Sequence, residues 1–240
     1  MSEKDRVLLL DFDGVLCNGL DEMLIVSYNT YYKCDLRYVD SISSAQRIFF
    51  YQNRWMVRPA GEYFILWKAY ELFKNIDIKI FHYLKLQFLE EIQLFQSSFY
   101  KQRDALKDDL EYWLSLHKTY QNVSEFLLKP ESKFFIITNK DKESVEILAK
   151  YFGYFSKIRD IYSKEISVYK EQLIKRLLSD YQFDYTSNKF IFIDDNITNL
   201  DEVASMKEDI VTIFTSWGYM GDVDSEQHKK IYNMSDFIGF

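Results

Sequence analysis

Short apolar runs constrain the fold of this chain more than any other feature. Val7 to Leu10, Phe134 to Ile137, Phe190 to Ile193 and Ile210 to Phe214 are almost wholly apolar, and a weaker run covers Ile158 to Ile161. A strand with one wet face alternates apolar and polar residues, whereas a strand that is apolar throughout is covered on both faces. Such runs, separated by segments of helical spacing, predict a parallel sheet flanked by helices. Val145, Leu148 and Phe152 share a helical face that ends at Gly153, a suitable C-terminal cap, and Leu173, Ile174, Leu177, Leu178 and Tyr181 form a broader stripe. The second half of the chain therefore reads β-α-β-α-β-α-β.

Between Gly19 and about Lys118 the pattern changes. Runs of β-branched residues almost disappear, and helical stripes replace them: Tyr63, Leu66, Trp67, Tyr70 and Phe73; then Phe88, Ile92, Phe95 and Phe99; then Leu106, Leu110, Trp113, Leu114 and His117. An all-helical insert is expected there. The two prolines punctuate the chain, Pro59 before the helix of "AGEYFILW" and Pro130 before the strand of "KFFIIT". The aromatic load, 19 Tyr and 20 Phe, is spread over helical faces and reads as core packing, not as a platform for stacking bases.

Composition removes several classes of function. A hydrophobic fraction of 48% against 28% charged residues supplies a real core and argues against disorder. A net charge of -7 provides no basic field for a nucleic-acid backbone. Cys17 and Cys34 form neither a disulfide framework nor a CxxC metal pair, so reduced thiols in a cytoplasmic protein are expected. The opening "MSEKDRVLLLDFD" mixes acid and base around a four-residue apolar run, too short for a signal-peptide core or a bilayer span, so neither export nor a membrane partner is expected.

The chemistry is written at the ends of the strands. Ligands of open α/β sheets bind beyond the carboxyl ends of parallel strands. There the first run ends in Asp11 and Asp13, the second in Thr138 and Asn139, and the third in Asp194 and Asp195. Carboxylates crowded together without partners repel, and desolvation drives them to take up protons. A hard divalent cation resolves this, since Mg²⁺ prefers carboxylate, carbonyl, water and phosphate oxygens. A calcium loop of the EF-hand type does not fit "DFDG", because Val15 and Leu16 stand where a ligand and a glycine are required.

These four elements resemble, in order, the motifs of the haloacid dehalogenase (HAD) superfamily of phosphotransfer enzymes: "DFDGVL" the first, "FIITNK" the second, "VYKEQLIKRLL" the third and "IFIDDN" the fourth. The resemblance covers roughly residues 1–18 and 119–240. It implies an α/β fold with a Rossmann-like parallel-sheet core, and makes residues 19–118 an inserted all-helical cap of the type 1 kind. It implies that Asp11 is the nucleophile, forming an aspartyl phosphate, and that Asp13 is general acid and then base, for which a raised pKa in an anionic site is suited. Phosphate would be held by Thr138, by the backbone N–H groups of Phe12 and Asn139, and by Lys170. Mg²⁺ would be held by Asp11, by Asp13 through its carbonyl and by Asp195 as the main acid of the last motif, with Asp194 either a second ligand or a neighbour that supports the ligands.

Several points stay open at this level. Lys164 and Lys170 both precede the fourth motif, and Lys170, at the start of a helix and 24 residues before Asp194, has the better spacing. Thr138 could instead cap the helix that begins near Asp141. Asn199 stands where many relatives have a further acid, which could shift a contact to Asp201. Dehalogenation is disfavoured, since the dehalogenases lack an acid at the position of Asp13. The cap charges Arg58 and Glu62, and Arg103 and Asp104, read either as surface ion pairs or as groups that recognise substrate. "WGY" at Trp217 to Tyr219 reads as a brace for the C-terminal turn, and His82, His117 and His228 read as structural. The expected activity is Mg²⁺-dependent hydrolysis of a small phosphorylated metabolite; the alternatives are a phosphomutase and a catalytically silent phosphate- or partner-binding protein.

Overall fold

The computed structural model describes residues 5–128, 133–183, 188–221, 223–234 and 236; Pro130 lies outside them. The chain opens with β1 (Asp5–Leu10) and β2 (Cys17–Asn18) and then runs through six helices, α1 (Leu20–Tyr32), α2 (Ser44–Asn53), α3 (Tyr63–Phe73), α4 (Ile78–Gln87), α5 (Leu89–Lys107) and α6 (Leu110–Ser115). It continues as β3 (Lys118–Thr119), α7 (Gln121–Leu128), β4 (Phe134–Ile137), α8 (Lys142–Tyr151), β5 (Ile158–Tyr162), α9 (Lys170–Tyr181), β6 (Asn188–Asp194), α10 (Ile197–Ala204), β7 (Ile210–Thr215) and β8 (Lys229–Ile231). Two compact units result, Met1–Asn18 with Thr119–Phe240, and Gly19–Lys118. Among the described residues no helix is long and apolar enough to cross a membrane.

The first unit is built on a six-stranded sheet of order β5-β4-β1-β6-β7-β8, with every neighbouring pair parallel. The apolar runs of β1, β4 and β6 are buried because both faces of the sheet are covered there. Val7 and Leu9 of β1 join Phe135, Ile137, Phe190 and Phe192 in one cluster with Leu173, Ile174, Leu177 and Leu178 of α9 and Leu200 and Val203 of α10. On the other face Phe134 meets Phe126 of α7 and Tyr154, which follows α8. Each such side chain, fully buried, contributes about 1.5–3 kcal/mol. Gly153, at φ 81°, takes the left-handed position just beyond α8. Among the elements that escaped the sequence pattern are α7, short and followed by residues outside the description, and β8, three residues with only Ile231 buried.

The second unit is all-helical. Its centre is a run of rings in which Trp67 stacks on Phe50 at 5.5 Å, Phe50 on Tyr63 at 5.6 Å and Tyr63 on Phe99 at 5.3 Å. The aromatic residues of the insert are thus used for packing, and the Trp67 indole N–H donates to Ser27 Oγ at 3.1 Å. The stripe from Leu106 to His117, expected to be one helix, is broken: α5 ends at Lys107, and Asp109 caps α6 by accepting from Tyr112 N. Arg103 also departs from the surface reading. It is 5% exposed, and its Nε and Nη2 donate to the two carboxylate oxygens of Glu22 at 2.6 and 3.0 Å, joining α5 to α1. Glu62 is likewise turned inward, accepting from Arg58 N and from Lys85 Nζ, whereas Asp104 is exposed.

Removing one member of a buried ion pair strands the other charge, at about 3–5 kcal/mol. Arg103→Met is therefore expected to destabilise the protein by that amount in urea unfolding followed by tryptophan fluorescence. The double substitution Glu22→Leu with Arg103→Met recovers much of the loss.

Candidate active site

Strand order builds the site. β1 lies between β4 and β6, so the residues that follow these three strands are neighbours at one edge of the sheet. Asp11 N still donates to Ile193 O at 2.9 Å, and Thr138 N to Tyr162 O at 2.9 Å, which ties both side chains to the ladder. The chain then turns back: Phe12 O accepts from Leu16 N and Cys17 N, Gly14 N donates to Cys17 O, and Phe12 is fully buried as the anchor of the turn.

Oxygens of Asp11, Asp194 and Asp195 lie within 4.8 Å of one another, and all three residues are buried. Their charge is met first by Lys170, the residue that opens α9. Its Nζ donates to Asp11 Oδ1 at 2.6 Å and to Ile137 O at 2.6 Å and lies 3.7 Å from Asp194 Oδ2, with its side chain only 1% exposed. Lys170, not Lys164, is the lysine brought to Asp11. Burial, and then the neighbouring charge of Asp11, hold the Asp194 carboxyl well above the usual carboxylate range, against the pull of Lys170. Asn196 N and Asn199 Nδ2 donate to Asp194. Asn199 is thus an amide donor to the cluster, while Asp201 pairs with His228 Nε2 at 2.9 Å. The other ring nitrogen of His228 meets Thr212 Oγ1.

Asp195 is held by absences of side chain. A Cβ on Gly14 would lie 2.2 Å from Asp195 Oδ2, and one on Gly218 would lie 2.1 Å from Asp195 Cβ. Gly14 also sits at φ 90°, a conformation that side chains resist. Tyr219 N donates to Asp195 Oδ2, and Trp217 Nε1 donates to Val15 O at 3.2 Å. "WGY" therefore contacts Asp195 and the turn that carries Val15.

Asp13 stands beside a cation that sequence reasoning passed over. Both of its oxygens lie 3.3 Å from Lys140 Nζ, so its surroundings are not the purely anionic ones expected. Thr138 Oγ1 accepts from Lys140 N at 3.1 Å, while α8 is capped by Asp141 and not by Thr138. Among the described residues the N–H groups of Phe12 and Asn139 donate to no protein acceptor, and Asn139 Oδ1 is buried without a partner.

A family model of haloacid dehalogenase-like hydrolases matches residues 6–205. The chain belongs to this family. No curated protein matches it by sequence. Solved structures share the fold over nearly the whole chain. A haloacid dehalogenase-like family hydrolase of Streptococcus pneumoniae is 12% identical at a TM-score of 0.62, covering 100% of this chain and 99% of its own. A predicted phosphoglycolate phosphatase of Haemophilus somnus is 14% identical at 0.64, with the same coverage, and a predicted phosphatase of Clostridium acetobutylicum is 13% identical at 0.55, covering 99% and 97%.

The acidic cluster of this haloacid dehalogenase-like hydrolase fits a magnesium ion by its donor set. Three buried carboxylates offer hard oxygens in one place, and their summed charge exceeds that of Lys170. The fold reaches this arrangement through the strand-end aspartates that the sequence displays openly. Lys140 was visible in "FIITNK", where a lysine two residues past a strand-end threonine is the signal that could have found it; Gly218 carried no such signal.

Burial and the charge of Asp11 favour protonation of Asp194, which a bound cation would oppose. Magnesium affinity is therefore expected to rise with pH, with protons released on binding, as read by calorimetry in buffers of different ionisation enthalpy. At about 100 times its dissociation constant the ion raises the melting temperature by roughly 5–11 °C. Gly218→Ala displaces Asp195 and removes most of that rise.

Proposed function

We propose that this hydrolase is a phosphomonoesterase that cleaves a small phosphorylated metabolite through an aspartyl phosphate on Asp11. The observation that carries this reading is the contact of Asp11 with a buried ammonium, Lys170, inside a cluster of three carboxylates. An aspartate so placed is fixed in direction and has a cation ready for the charge of an incoming phosphoryl group.

In this reading an oxygen of Asp11 attacks phosphorus, the bond from phosphorus to the ester oxygen breaks, and Asp13 gives its proton to the departing oxygen. Water then attacks the aspartyl phosphate, the bond from phosphorus to Asp11 breaks, and Asp13 takes the proton of the water. Lys170, the Thr138 hydroxyl and the N–H groups of Phe12 and Asn139 hold the phosphoryl oxygens. Asp11, Asp194, Asp195 and the carbonyl of Asp13 would hold Mg²⁺, which when bound supplies positive charge against the phosphoryl group and screens the carboxylates from one another. Asp13 supports ester cleavage over dehalogenation.

The helical unit 19–118 serves in this reading as the cap that recognises the leaving portion of the substrate. The descriptions of the structural relatives as phosphatases agree with a small phosphate monoester. Two cysteines, Cys17 and Cys34, that form no disulfide framework agree with a cytoplasmic setting.

The purified protein is expected to release phosphate from an aryl phosphate with added Mg²⁺ and to lose activity in chelator. Asp11→Asn lowers kcat by at least about 10³-fold while leaving the fold intact by circular dichroism. Unchanged turnover in that variant would exclude the aspartyl phosphate. A panel of phosphorylated sugars, nucleotides and short acids identifies the substrate, and accumulation of a bisphosphate would mark a mutase.

A further inference from the structure

Lys140 is an ammonium placed where burial is costly. The residue is 3% exposed, and its Nζ meets Asp13 through both carboxylate oxygens at the same distance, 3.3 Å. Its backbone is fixed as well, since Lys140 N donates to Thr138 Oγ1 and the next residue, Asp141, caps α8. A buried cation is tolerated only when paired, and the ion pair made by Lys140 is with Asp13. The two buried lysines thus divide the two aspartates of "DFDG": Lys170 meets Asp11 and Lys140 meets Asp13.

The geometry points to Lys140 as a positioning residue for the second half of the reaction, in which Asp13 acts as a carboxylate. This inference rests on the phosphomonoesterase reading. In that half-reaction the water oxygen bonds to phosphorus, the bond from phosphorus to Asp11 breaks, the electron pair returns to the Asp11 carboxylate, and the water proton passes to Asp13. Asp13 must present an oxygen to the water in one orientation. It sits on a loop beyond the end of β1, where a carboxylate held only by its own rotamer would sample several. Contact of both oxygens with one immobile ammonium removes that freedom before the water arrives, so no reorganisation is needed at the moment of attack. Lys140 takes no part in the proton transfer and acts through its contact with Asp13.

The test is the partition of the aspartyl phosphate. With an aryl phosphate and Mg²⁺, Lys140→Met is expected to lower kcat about 10- to 100-fold with KM changed less than about threefold. Rapid quenching shows a burst of the phenol, and radiolabelled phosphate accumulates on the protein above the wild-type level, because formation of the intermediate is impaired less than its hydrolysis. A residue with only a structural role would lower the amount of active protein without changing this partition. Lys140→Arg retains the charge but moves it, and gives an intermediate level of phosphoenzyme; it decides the matter if Lys140→Met does not fold. Wild-type kcat in Lys140→Met, or a fall in kcat with no rise in phosphoenzyme, overturns the inference and leaves the phosphomonoesterase reading standing. A wild-type protein with neither turnover nor phosphoenzyme removes both.

Discussion

The ammonium of Lys170 makes the rest of the site possible. Three carboxylates buried within a few ångströms of one another would otherwise have to take up protons or open to water, since each unpaired buried charge costs several kcal/mol. Lys170 faces two of them at once and is fixed by a third bond to a strand carbonyl. Even so the balance is incomplete, since burial and the charge of Asp11 hold the Asp194 carboxyl above the usual carboxylate range. This excess of negative charge at the end of a sheet is the feature on which the proposed cation and phosphoryl chemistry rests.

The charges can meet because of the sheet. A parallel sheet delivers every strand in the same direction, and placing β1 between β4 and β6 converts residues far apart in sequence into neighbours. The loops then do the fine placement. Lys140 turns the threonine loop toward Asp13, and the glycines at 14 and 218 leave room for Asp195. Each of these is a short-range device that works only once the long-range pairing exists.

Much of this was legible in the chain. Unbroken apolar runs name a sheet covered on both faces, and the aspartates that terminate them mark the functional edge. What could not be read was local or compensatory. The break between α5 and α6 depends on Asp109 turning back to cap a helix within an otherwise continuous apolar stripe. Arg103 reads as a surface charge because its partner, Glu22, is distant in sequence and a bidentate pair leaves no periodic trace. β8 is too short to carry a pattern. Asp201 looked available to the acidic cluster, and only the fold reveals that a histidine from the C-terminal segment claims it.

The position of β1 has a consequence for how the molecule comes into being. Leu8 pairs with Phe134 on one side and with Ile191 on the other, so β1 is flanked by partners made much later. Contacts of such sequence separation form slowly, because a long loop must close before any pairing is gained. The helices of 19–118 have their own aromatic interior and can consolidate while β1 still lacks both neighbours. The acidic cluster is therefore complete only once β6 and the two aspartates at its end have been made, and a chain that stops before β4 carries Asp11 at the end of an unpaired, aggregation-prone strand.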